Sequence, residues 1–311
     1  MQVHTNIEQL PQFRNGVITI GTFDGVHLGH QQIIRQVKAE ASALKGESVI
    51  ITFHPHPRKV VRGQFNVELL NSMEEKISLL RSHGIDHLVI VPFTPEFAEL
   101  SARDYVRNFL VARFHPRELI IGYDHRFGKD RSGNFELLEE LGPEFGFQVR
   151  EIPEHVLHTV TISSTRIRNA LKGGQLVEAN ENLGYPYMLS GIVSEGDKRG
   201  RTIGYPTANL KIADPEKLIP SDGVYAVTLG ITGKENIYRG MMNIGYRPTV
   251  DGKTRTIEVN IFNFHETIYG ETLKLQLHHY LREEKKFGSL EELKAQLAAD
   301  QMNALQALTH L

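Results

Sequence analysis

Two histidines in a glycine-rich turn are the first residues of this chain whose types and spacing could do chemistry. The turn reads GTFDGVHLGH over residues 21–30, and it places His27 and His30 three positions apart. On the first turn of a helix, side chains at this spacing project to the same side. Two imidazoles aimed at one phosphate can donate hydrogen bonds to it as negative charge builds up. The pair could also be ordinary surface or core histidines, so the choice between these interpretations depends on the segments that flank the turn.

The segments on either side of this turn are typical of a phosphate-binding site. A β-branched run at 17–20 predicts a buried strand, and a following helix is indicated by apolar residues at 33, 34, 37, 41 and 44. A strand, a turn and a helix in this order point backbone N–H groups and a helix N-terminus at a phosphate. The turn lacks the Gly-x-Gly-x-x-Gly fingerprint of dinucleotide sites. We expect a nucleotide site that uses Gly21, Thr22, Phe23, Asp24 and Gly29.

A second glycine-rich stretch, in the later half of the chain, is also suited to phosphates. Gly196, Gly200 and Gly204 are evenly spaced around the basic pair Lys198-Arg199. Glycine lets backbone N–H groups approach a phosphate closely, and the basic side chains add charge. The stretch is not a Walker P-loop, which ends in Gly-Lys-Ser or Gly-Lys-Thr. We expect it to cover the phosphates of a nucleotide.

Oxygen-bearing side chains follow that stretch and recur on a later predicted strand. If the segment GYPTAN is extended, Thr207 and Asn209 share one face and offer hydroxyl and amide oxygens to Mg²⁺. Glu258 sits on an aromatic-rich strand that includes 258–264, in which even-numbered residues share a face. A carboxylate there could accept a hydroxyl proton during phosphoryl transfer. The alternative is a solvent-facing glutamate, but the nearby Thr-x-Asn and glycine-rich stretch favour the catalytic interpretation.

The composition excludes several classes of protein. The chain of 311 residues can form two domains, and its net charge of −2 argues against a nucleic-acid or anionic-membrane surface. Without cysteine there are no disulfides, thiolate nucleophiles or cysteine-ligated zinc. No apolar run approaches the ~20 residues of a membrane span, so we expect a cytoplasmic protein with no membrane, nucleic-acid or obligate protein partner. His27, His30, His54 and His56 could bind a metal, but no third ligand follows at a convincing spacing.

Strands and helices alternate up to about residue 152, which predicts a mostly parallel sheet with helices on both faces. The predicted strands lie at 17–20, 47–53, 87–91, 118–122 and 147–152. Helices are predicted after a capping box at Ser72, after Ser101 and from Phe135. Ligands bind beyond the carboxyl ends of the strands in such sheets. The histidine turn and the segments 53–57 and 122–128 all follow predicted strands, so we expect them to converge.

The pattern changes after residue 187. Short strands joined by glycine turns are predicted at 188–193, 224–230, 237–244, 256–264 and 272–280. This spacing without helices is typical of an antiparallel barrel or sandwich. A capping box at Ser289 and leucines at 290, 293, 297 and 305 predict a closing helix.

A short helix, with Ser164 as its N-cap, is predicted between the two patterns from the segment 162–168. Its Ser164, Arg166 and Arg168 could bind a polyphosphate at the helix start, or they could belong to a capped surface helix with solvated arginines. We expect the boundary between the domains in 178–187, which gives domains 1–184 and 185–311.

Taken together and in order, these motifs resemble those of the bifunctional bacterial riboflavin kinase/FMN adenylyltransferases, also called FAD synthetases. The adenylyltransferase half is matched by GTFDGVHLGH at 21–30, FHPHP at 53–57, GYDHRFG at 122–128 and ISSTRIR at 162–168. The kinase half is matched by 196–209, NIGYRPT at 243–249, EVNIFNF at 258–264 and LREEKKF at 281–287. The resemblance implies a Rossmann-like nucleotidyltransferase domain followed by an antiparallel flavokinase β-barrel with a C-terminal helix.

The resemblance also implies two reactions. In the second half, Glu258 takes the proton of the riboflavin 5′-hydroxyl, which attacks ATP while Thr207 and Asn209 hold Mg²⁺. In the first half, FMN attacks the α-phosphorus of a second ATP, with His27 and His30 on the α-phosphate. Ser164, Arg166 and Arg168 then hold the departing pyrophosphate. The flavin is expected near Asp124, with Phe53 or Phe127 as an apolar wall; both phenylalanines could equally be core.

Three positions depart from the family pattern. Asn260 and Asn263 stand where relatives often carry histidine and aspartate, and His125 replaces a common phenylalanine. Two other classes stay open at this point. One is a flavin-binding regulatory protein without catalysis, although Glu258 and Thr207 are retained. The other is an RNA-handling protein, because class I aminoacyl-tRNA synthetases share the His-x-Gly-His turn; the near-neutral charge and the missing Lys-Met-Ser-Lys-Ser loop count against it.

Overall fold

The structure is a computed structural model that describes residues 1–61, 68–153, 162–196, 199–249 and 252–309. The chain divides into two compact units, Met1–Ser164 and Thr165–Leu311. Within the described ranges, no helix is both long enough and apolar enough to cross a membrane.

The first unit is built on a six-stranded sheet in which each pair of neighbouring strands is parallel. The strands are β1 (Gln2–His4), β2 (Val17–Ile20), β3 (Ser48–His54), β4 (His87–Pro92), β5 (Glu118–Gly122) and β6 (Gln148–Ile152). Their order across the sheet is β1-β4-β3-β2-β5-β6. All residues of β2 and β5 are buried, as expected for central strands covered on both faces. The predicted parallel sheet is confirmed, and β1 is an additional edge strand.

Helices connect these strands. They are α1 (Leu28–Ala43), α2 (Pro57–Val61), α3 (Met73–Ser82), α4 (Pro95–Ala98), α5 (102–114) and α6 (Phe135–Phe145). The capping box at the start of α3 is confirmed, because Ser72 and Glu75 each accept a hydrogen bond from the other's backbone N–H. Helix α5 is not purely α-helical, since its middle, Tyr105–Val111, is a π-helix. Ser101 caps α5 as predicted, with its side chain accepting from the Asp104 N–H.

Alternate residues of the strands bury opposite faces of the sheet. Ile50 of β3 packs with Ile34 of α1 and Leu80 of α3. The next residue, Ile51, packs on the other side with Phe109 of α5. Each fully buried aliphatic side chain stabilises the fold by about 1.5–3 kcal/mol. The two helical layers therefore hold the sheet rigid and fix where its carboxyl edge lies.

The order of the strands creates a switch point. The chain moves outward from β2 to β3 and β4, and then returns to place β5 on the other side of β2. At such a point the connections leave in opposite directions and open a crevice beyond the strand ends. The 21–30 turn follows β2 and the 122–128 segment follows β5, so both begin at this crevice, and the 53–57 segment begins at the end of β3, beside β2 on the same edge.

The second unit consists of a closed barrel with helices. Its strands are β7 (Tyr187–Ser194), β8 (Ala208–Lys211), β9 (Gly223–Ile231), β10 (Ile237–Thr249), β11 (Gly252–Ile261) and β12 (Thr272–Arg282). They pair antiparallel in the closed order β10-β11-β8-β7-β12-β9. The helices are α7 (Ser164–Lys172), which starts at the last residue of the first unit, α8 (Leu176–Leu183), α9 (Arg199–Thr202) and α10 (Leu290–Ala307). The predicted antiparallel barrel with a closing helix is confirmed.

Several local predictions for the second unit are wrong. Strand β11 ends at Ile261 rather than at 264, because Asn263 has a φ of 55° and lies in a turn. Ser164 is the first residue of α7 rather than the residue before it, and its hydroxyl donates to the carbonyl oxygen of Asp24. At α10, Ser289 accepts from the Glu292 N–H, but the Glu292 carboxylate accepts from Gly288, so the capping box is incomplete.

Candidate active sites

The backbone of the 21–30 turn is held in an uncommon conformation. Phe23 and Val26 have φ angles of 47° and 38°, and Gly25 has a φ of 88°. A positive φ is uncommon for residues other than glycine, above all for β-branched ones, and costs of order 1–3 kcal/mol. The side chains of Phe23 and Val26 are fully buried and pack in the core with Ile34 of α1. The core therefore enforces the shape of the turn.

Hydrogen bonds fix the start of the turn on the sheet. The N–H of Gly21 donates to the carbonyl oxygen of Ile51 on β3 at 3.0 Å. The carbonyl oxygen of Thr22 accepts from the hydroxyl of Thr52 at 3.2 Å. A Cβ on Gly21 would lie 3.2 Å from the ring of Phe23, so glycine leaves room for that ring.

Asp24 is buried, and its hydrogen bonds hold the turn against other segments of the first unit. Its carboxylate accepts from the N–H of Leu70 at 2.8 Å, and its carbonyl oxygen accepts from the Ser164 hydroxyl at 2.9 Å. These contacts join the turn to a segment 46 residues away and to one 140 residues away. Ser164 thus reaches the predicted nucleotide turn, although by a different bond from the helix cap that we expected.

His27 and His30 form a stacked pair. Their ring centroids are 3.7 Å apart with an interplanar angle of 19°. His27 is the N-cap of α1, one position before the helix, and its Nδ1 accepts from the backbone N–H of His30 at 3.4 Å. A Cβ on Gly29 would lie 3.3 Å from the ring of His27, which explains why a small residue stands between the two histidines. The expectation that both rings lie on one side is confirmed.

His30 is kept neutral. Burial lowers its pKa well below the usual value of histidine, and the charges of His27 and Lys76 lower the pKa further. Its Nδ1 is buried and has no hydrogen-bond partner in the described part of the chain. Across the described ranges, no three His, Asp or Glu side chains are arranged to hold a metal ion. The arrangement suits hydrogen bonding to a phosphate.

The segment after β5 brings a second orphaned histidine to the switch point. Asp124 is exposed, whereas His125 is half-buried and its Nε2 has no partner among the described residues. Burial lowers the pKa of His125 to about 4, against the opposing effect of Asp124. At neutral pH His125 is therefore an uncharged ring whose nitrogen is not satisfied by the protein.

The two phenylalanines expected to wall a flavin have different surroundings. Phe127 is buried in the core of the first unit, where its ring lies 5.0 Å from that of Tyr105. Phe53, near the end of β3, is half-buried and packs edge-on against Phe93 at 5.4 Å. Phe53 thus has a partly open face, while Phe127 has the environment of a core residue.

The arginines of α7 lie in the second compact unit. Arg166 is exposed, and its Nε is 2.8 Å from a carboxylate oxygen of Glu178 on α8. Arg168 is half-buried on the same helix. The grouping of both arginines with Ser164 around a pyrophosphate stays a prediction.

The barrel unit contains a cavity of about 320 Å³. Its walls come from β10 and β11, from the 200–207 segment, from the end of β12 and from α10. Thr207 and Glu258 both line it, and the Thr207 hydroxyl donates to the Glu258 carboxylate at 3.2 Å. Asn209 lies directly opposite Glu258 in the pairing of β8 with β11, although it is outside the cavity wall. The structure thus brings the predicted carboxylate and the Thr-x-Asn motif together.

Asn260 joins the two sides of this site. It is buried, lines the cavity, and donates from its amide to the carbonyl oxygen of Pro206 at 2.7 Å. Glu258 and Asn260 therefore share one face of β11, as the alternation predicts. Asn263 is exposed in the turn beyond the strand.

The glycine-rich stretch is partly helical. Residues Arg199–Thr202 form one helical turn, and Gly200 lines the cavity, whereas Gly196 and Gly204 lie outside its wall. A Cβ on Gly200 would be 2.2 Å from the carbonyl oxygen of Tyr205, so only glycine fits there. Lys198 lies outside the described residues.

Sequence reasoning missed three charged residues at these sites. Lys76 is buried under the histidine turn, where it donates to Thr22. Arg282 and Asp300 line the cavity and form an ion pair of 2.6 Å. A charged residue within an otherwise apolar helix face is the one signal that could have pointed to Asp300.

Comparison with known proteins covers both halves of the chain. A family model described as FAD synthetase matches residues 10–166, and one described as riboflavin kinase matches residues 183–308. A bifunctional riboflavin kinase/FMN adenylyltransferase of Listeria monocytogenes is 40% identical over 93% of this chain and 91% of its own length. The Escherichia coli protein of the same name is 36% identical over 96% of this chain and 94% of its own length.

A solved structure shares the fold over the full length. It is described as a macrolide-efflux protein from Streptococcus pneumoniae, is 32% identical, and covers 97% of both chains with a TM-score of 0.85. The resemblance inferred from the motifs is confirmed by the family models and the curated relatives. The chain belongs to the family of bifunctional riboflavin kinase/FMN adenylyltransferases, with its FAD synthetase region in the first half and its riboflavin kinase region in the second.

Proposed function

We propose that the two halves act in sequence on one flavin. As a member of its family, the enzyme phosphorylates riboflavin to FMN with ATP, and then adenylylates FMN to FAD with a second ATP. We assign adenylylation to residues 1–184 and phosphorylation to residues 185–311, with a boundary at the glycine that ends α8. The observation that carries the proposal is that each compact unit holds its own group of phosphate-handling side chains.

In the barrel unit, Glu258 is the proposed general base. Its carboxylate accepts the proton of the riboflavin 5′-hydroxyl, the hydroxyl oxygen bonds to the γ-phosphorus of ATP, and the bond from that phosphorus to ADP breaks. The cavity that Glu258 lines gives the flavin a place to bind, with apolar walls that include Met241 and Phe287. A positioned base of this kind contributes typically 10²–10⁴-fold to a rate.

Thr207 and Asn209 are the proposed ligands of Mg²⁺. The Thr207 hydroxyl donates to the Glu258 carboxylate, and Asn209 lies opposite Glu258 in the strand pairing, so oxygen-bearing side chains of the kind that hard cations prefer come together beside the cavity. When bound, Mg²⁺ neutralises charge on the transferring phosphoryl group. We propose that the 196–204 stretch, with Gly196, Lys198, Gly200 and Gly204, covers the phosphates of ATP.

In the first unit, a phosphate oxygen of FMN bonds to the α-phosphorus of ATP, and the bond to pyrophosphate breaks. The FMN phosphate is already ionised, so no strong base is needed, and acceleration comes from positioning and charge stabilisation. His27 and His30 are the proposed donors to the α-phosphate, since they are stacked side by side at the switch point. Backbone groups of 21–24 and Gly29 bind the nucleotide.

The remaining contacts of this reaction are proposed from the sequence motifs. Ser164, Arg166 and Arg168 hold the departing pyrophosphate. Asp124 is exposed beside the site and is assigned to the flavin, together with Phe53 and Phe127. The burial of Phe127 favours a supporting position behind the flavin wall over direct contact. A cytoplasmic location stays a prediction.

Product analysis with two crossed variants tests the assignment. The purified enzyme is incubated with riboflavin, ATP and Mg²⁺, and FMN and FAD are separated by HPLC. His30→Ala should accumulate FMN, because losing one preorganised donor costs about 10²–10³ in rate. Glu258→Gln should leave riboflavin unconverted and still turn added FMN into FAD.

The matched control is Glu266→Gln, which makes the same change at an exposed carboxylate paired with Lys234 in the barrel unit. It should leave both rates unchanged. A Glu258→Gln enzyme that phosphorylates riboflavin within a few-fold of wild type would remove Glu258 from the mechanism. Loss of both activities in either crossed variant would contradict the division of labour between the two units.

A further inference from the structure

A buried lysine lies beneath the histidine turn. Lys76 is on the first turn of α3, and only 6% of its surface is exposed. Its Nζ donates to the carbonyl oxygen of Thr22 at 2.7 Å, across a separation of 54 residues. The Thr52 hydroxyl donates to the same oxygen, so two donors hold this carbonyl towards the protein interior.

The position of Lys76 is rigid because its helix is firmly started. In the capping box, the Glu75 N–H donates to the Ser72 hydroxyl at 3.2 Å, and the Ser72 N–H donates to the Glu75 carboxylate at 3.0 Å. The lysine stem leaves the helix one residue later and packs under the turn. Its ammonium is therefore fixed relative to the start of the 21–30 turn.

Burying the charged form of Lys76 is energetically unfavourable. Lysine is almost never fully buried unless it is paired, because removing an ammonium from water costs several kcal/mol. Burial lowers the pKa of Lys76, and the nearby Asp24 partly offsets this effect. In turn, the charge of Lys76 contributes to the lowered pKa of His30. The ammonium is thus close enough to His30 to change the pKa of its ring.

A neutral methionine of similar length would fill the same space without this cost. Strongly perturbed charged groups cluster at functional sites, where their charge contributes to the reaction. During adenylylation, negative charge develops on the α-phosphate beside the turn, and a fixed positive charge in a water-poor site stabilises it. The hydrogen bond to Thr22 also keeps a carbonyl oxygen, which would repel phosphate, turned away.

We propose that Lys76 is a positioning residue for FMN adenylylation, which turns the Thr22 carbonyl inward and sets a positive charge behind the His27–His30 pair. It acts through the turn and does not touch the substrate. The inference rests on the proposed assignment of adenylylation to this turn.

The test compares three lysine variants in the full-length enzyme. Lys76→Met removes the charge and the donor but keeps the stem, and Lys76→Arg keeps the charge. Lys38→Met is the matched control, since Lys38 of α1 also donates to a backbone carbonyl, that of His83, at 2.5 Å but from an exposed position. For each variant, kcat and KM of adenylylation are measured, with riboflavin phosphorylation as the internal measure of enzyme amount and a urea titration of the first unit as the check on folding.

We expect Lys76→Met to lower kcat of adenylylation about 10- to 100-fold while the KM for FMN changes less than threefold. Lys76→Arg should recover most of this loss, and Lys38→Met should match wild type. Riboflavin phosphorylation should be the same in all. The inference is overturned if Lys76→Met stays within threefold of wild type, or if both Lys76 variants lose activity equally.

The pH profile separates an electrostatic role from a structural one. Because the pKa of Lys76 is lowered, wild-type adenylylation should fall as alkaline pH removes the proton, earlier than free lysine would titrate. Asp24 is the charged group that acts on the ammonium in the described chain, and the ammonium in turn acts on the buried His30. This alkaline decline should disappear in Lys76→Met. An unchanged decline in that variant would overturn the inference.

The His30→Ala variant distinguishes failure of the Lys76 proposal from failure of the assignment of adenylylation to the 21–30 turn. If His30→Ala is inactive in adenylylation while Lys76→Met is normal, the turn is the site and Lys76 is merely structural. If His30→Ala is also normal, the proposed site itself is wrong.

Discussion

The ion pair between Asp300 and Arg282 is expected to hold the barrel unit together at its cavity. Asp300 of α10 is 1% exposed, and its carboxylate accepts from Arg282 in three contacts of 2.9, 3.1 and 2.6 Å. Gln296 donates to the same carboxylate at 2.9 Å. Arg282 also donates to the carbonyl oxygen of Glu283 and lies 5.9 Å from the ring of Phe287. The pair therefore joins the closing helix to the end of β12.

Replacing Asp300 with Asn removes the charge, keeps the volume, and turns an amide donor towards the guanidinium. Removing one partner of a buried pair costs about 3–5 kcal/mol, because the other charge is left uncompensated. The Arg282 side chain is 22% exposed and can recover some hydration, so we expect about 3 kcal/mol. At 1.4 kcal/mol per tenfold, this corresponds to a factor of about 100 in the unfolding equilibrium of the barrel unit.

Native-state hydrogen exchange read out by mass spectrometry measures this loss where it occurs. In peptides from α10 and β12, the free energy of the opening that permits exchange should fall by about 3 kcal/mol. In peptides from the first unit, the exchange rates should be unchanged. The KM for riboflavin should rise, since Arg282 and Phe287 line the cavity, and adenylylation of added FMN should be unaffected.

Asp222→Asn is the control for this measurement. Asp222 pairs with Arg255 at 2.8 Å, but both side chains are about a third exposed, so the same substitution should cost only about 0–1 kcal/mol. A cost below 1 kcal/mol for Asp300→Asn, or equal costs for the two variants, would refute the reasoning that burial makes the Asp300 pair decisive.

Three further predictions follow from local geometry. Gly196→Ala would place a Cβ 2.1 Å from the amide nitrogen of Asn209, so we expect up to about 100-fold slower riboflavin phosphorylation, measured as FMN formed, with unchanged adenylylation. Because the pKa of His30 is lowered, the ring stays neutral as the pH falls through 6.5, and pyrophosphate release should be level from pH 7.5 to 6; a decline centred near pH 6.5 would contradict this. Ser72→Ala removes the cap of α3 and should lower the free energy of unfolding by about 1 kcal/mol in a urea titration.

The parts of the fold that were predictable are those with strong local patterns. Strands β2 and β5 were predicted because each contains a short run of β-branched and aliphatic residues. Helix α3 was predicted because the capping box at Ser72 marks its start. Strand β1 was missed because three residues, two of them polar, carry no periodic signal. Helix α8 was missed because 178–187 was interpreted as the boundary between the domains, and a helix of only 8 residues gives little periodic signal.

The site was predictable where one motif supplies all its parts, and not where distant segments meet. The stacking of His27 on His30 follows from their spacing, and the meeting of Thr207 with Glu258 follows from family motifs. The burial of Lys76 depends on a carbonyl 54 residues away, which no local pattern encodes. The end of β11 was misplaced because only the tertiary context puts Asn263 in a left-handed conformation.

Closure of the barrel also sets an order of events during synthesis. Strand β7 finds one of its partners in β12, so the ring of strands stays open until residue 282 has been made. The parallel sheet of the first unit is complete in sequence at Ile152, about 130 residues earlier. At about 5–20 residues per second, the ribosome takes on the order of 10 s to cover that distance. The adenylyltransferase sheet can therefore form on the ribosome while the kinase barrel is still an open set of hairpins, which makes the nascent kinase half the one that most needs protection from aggregation.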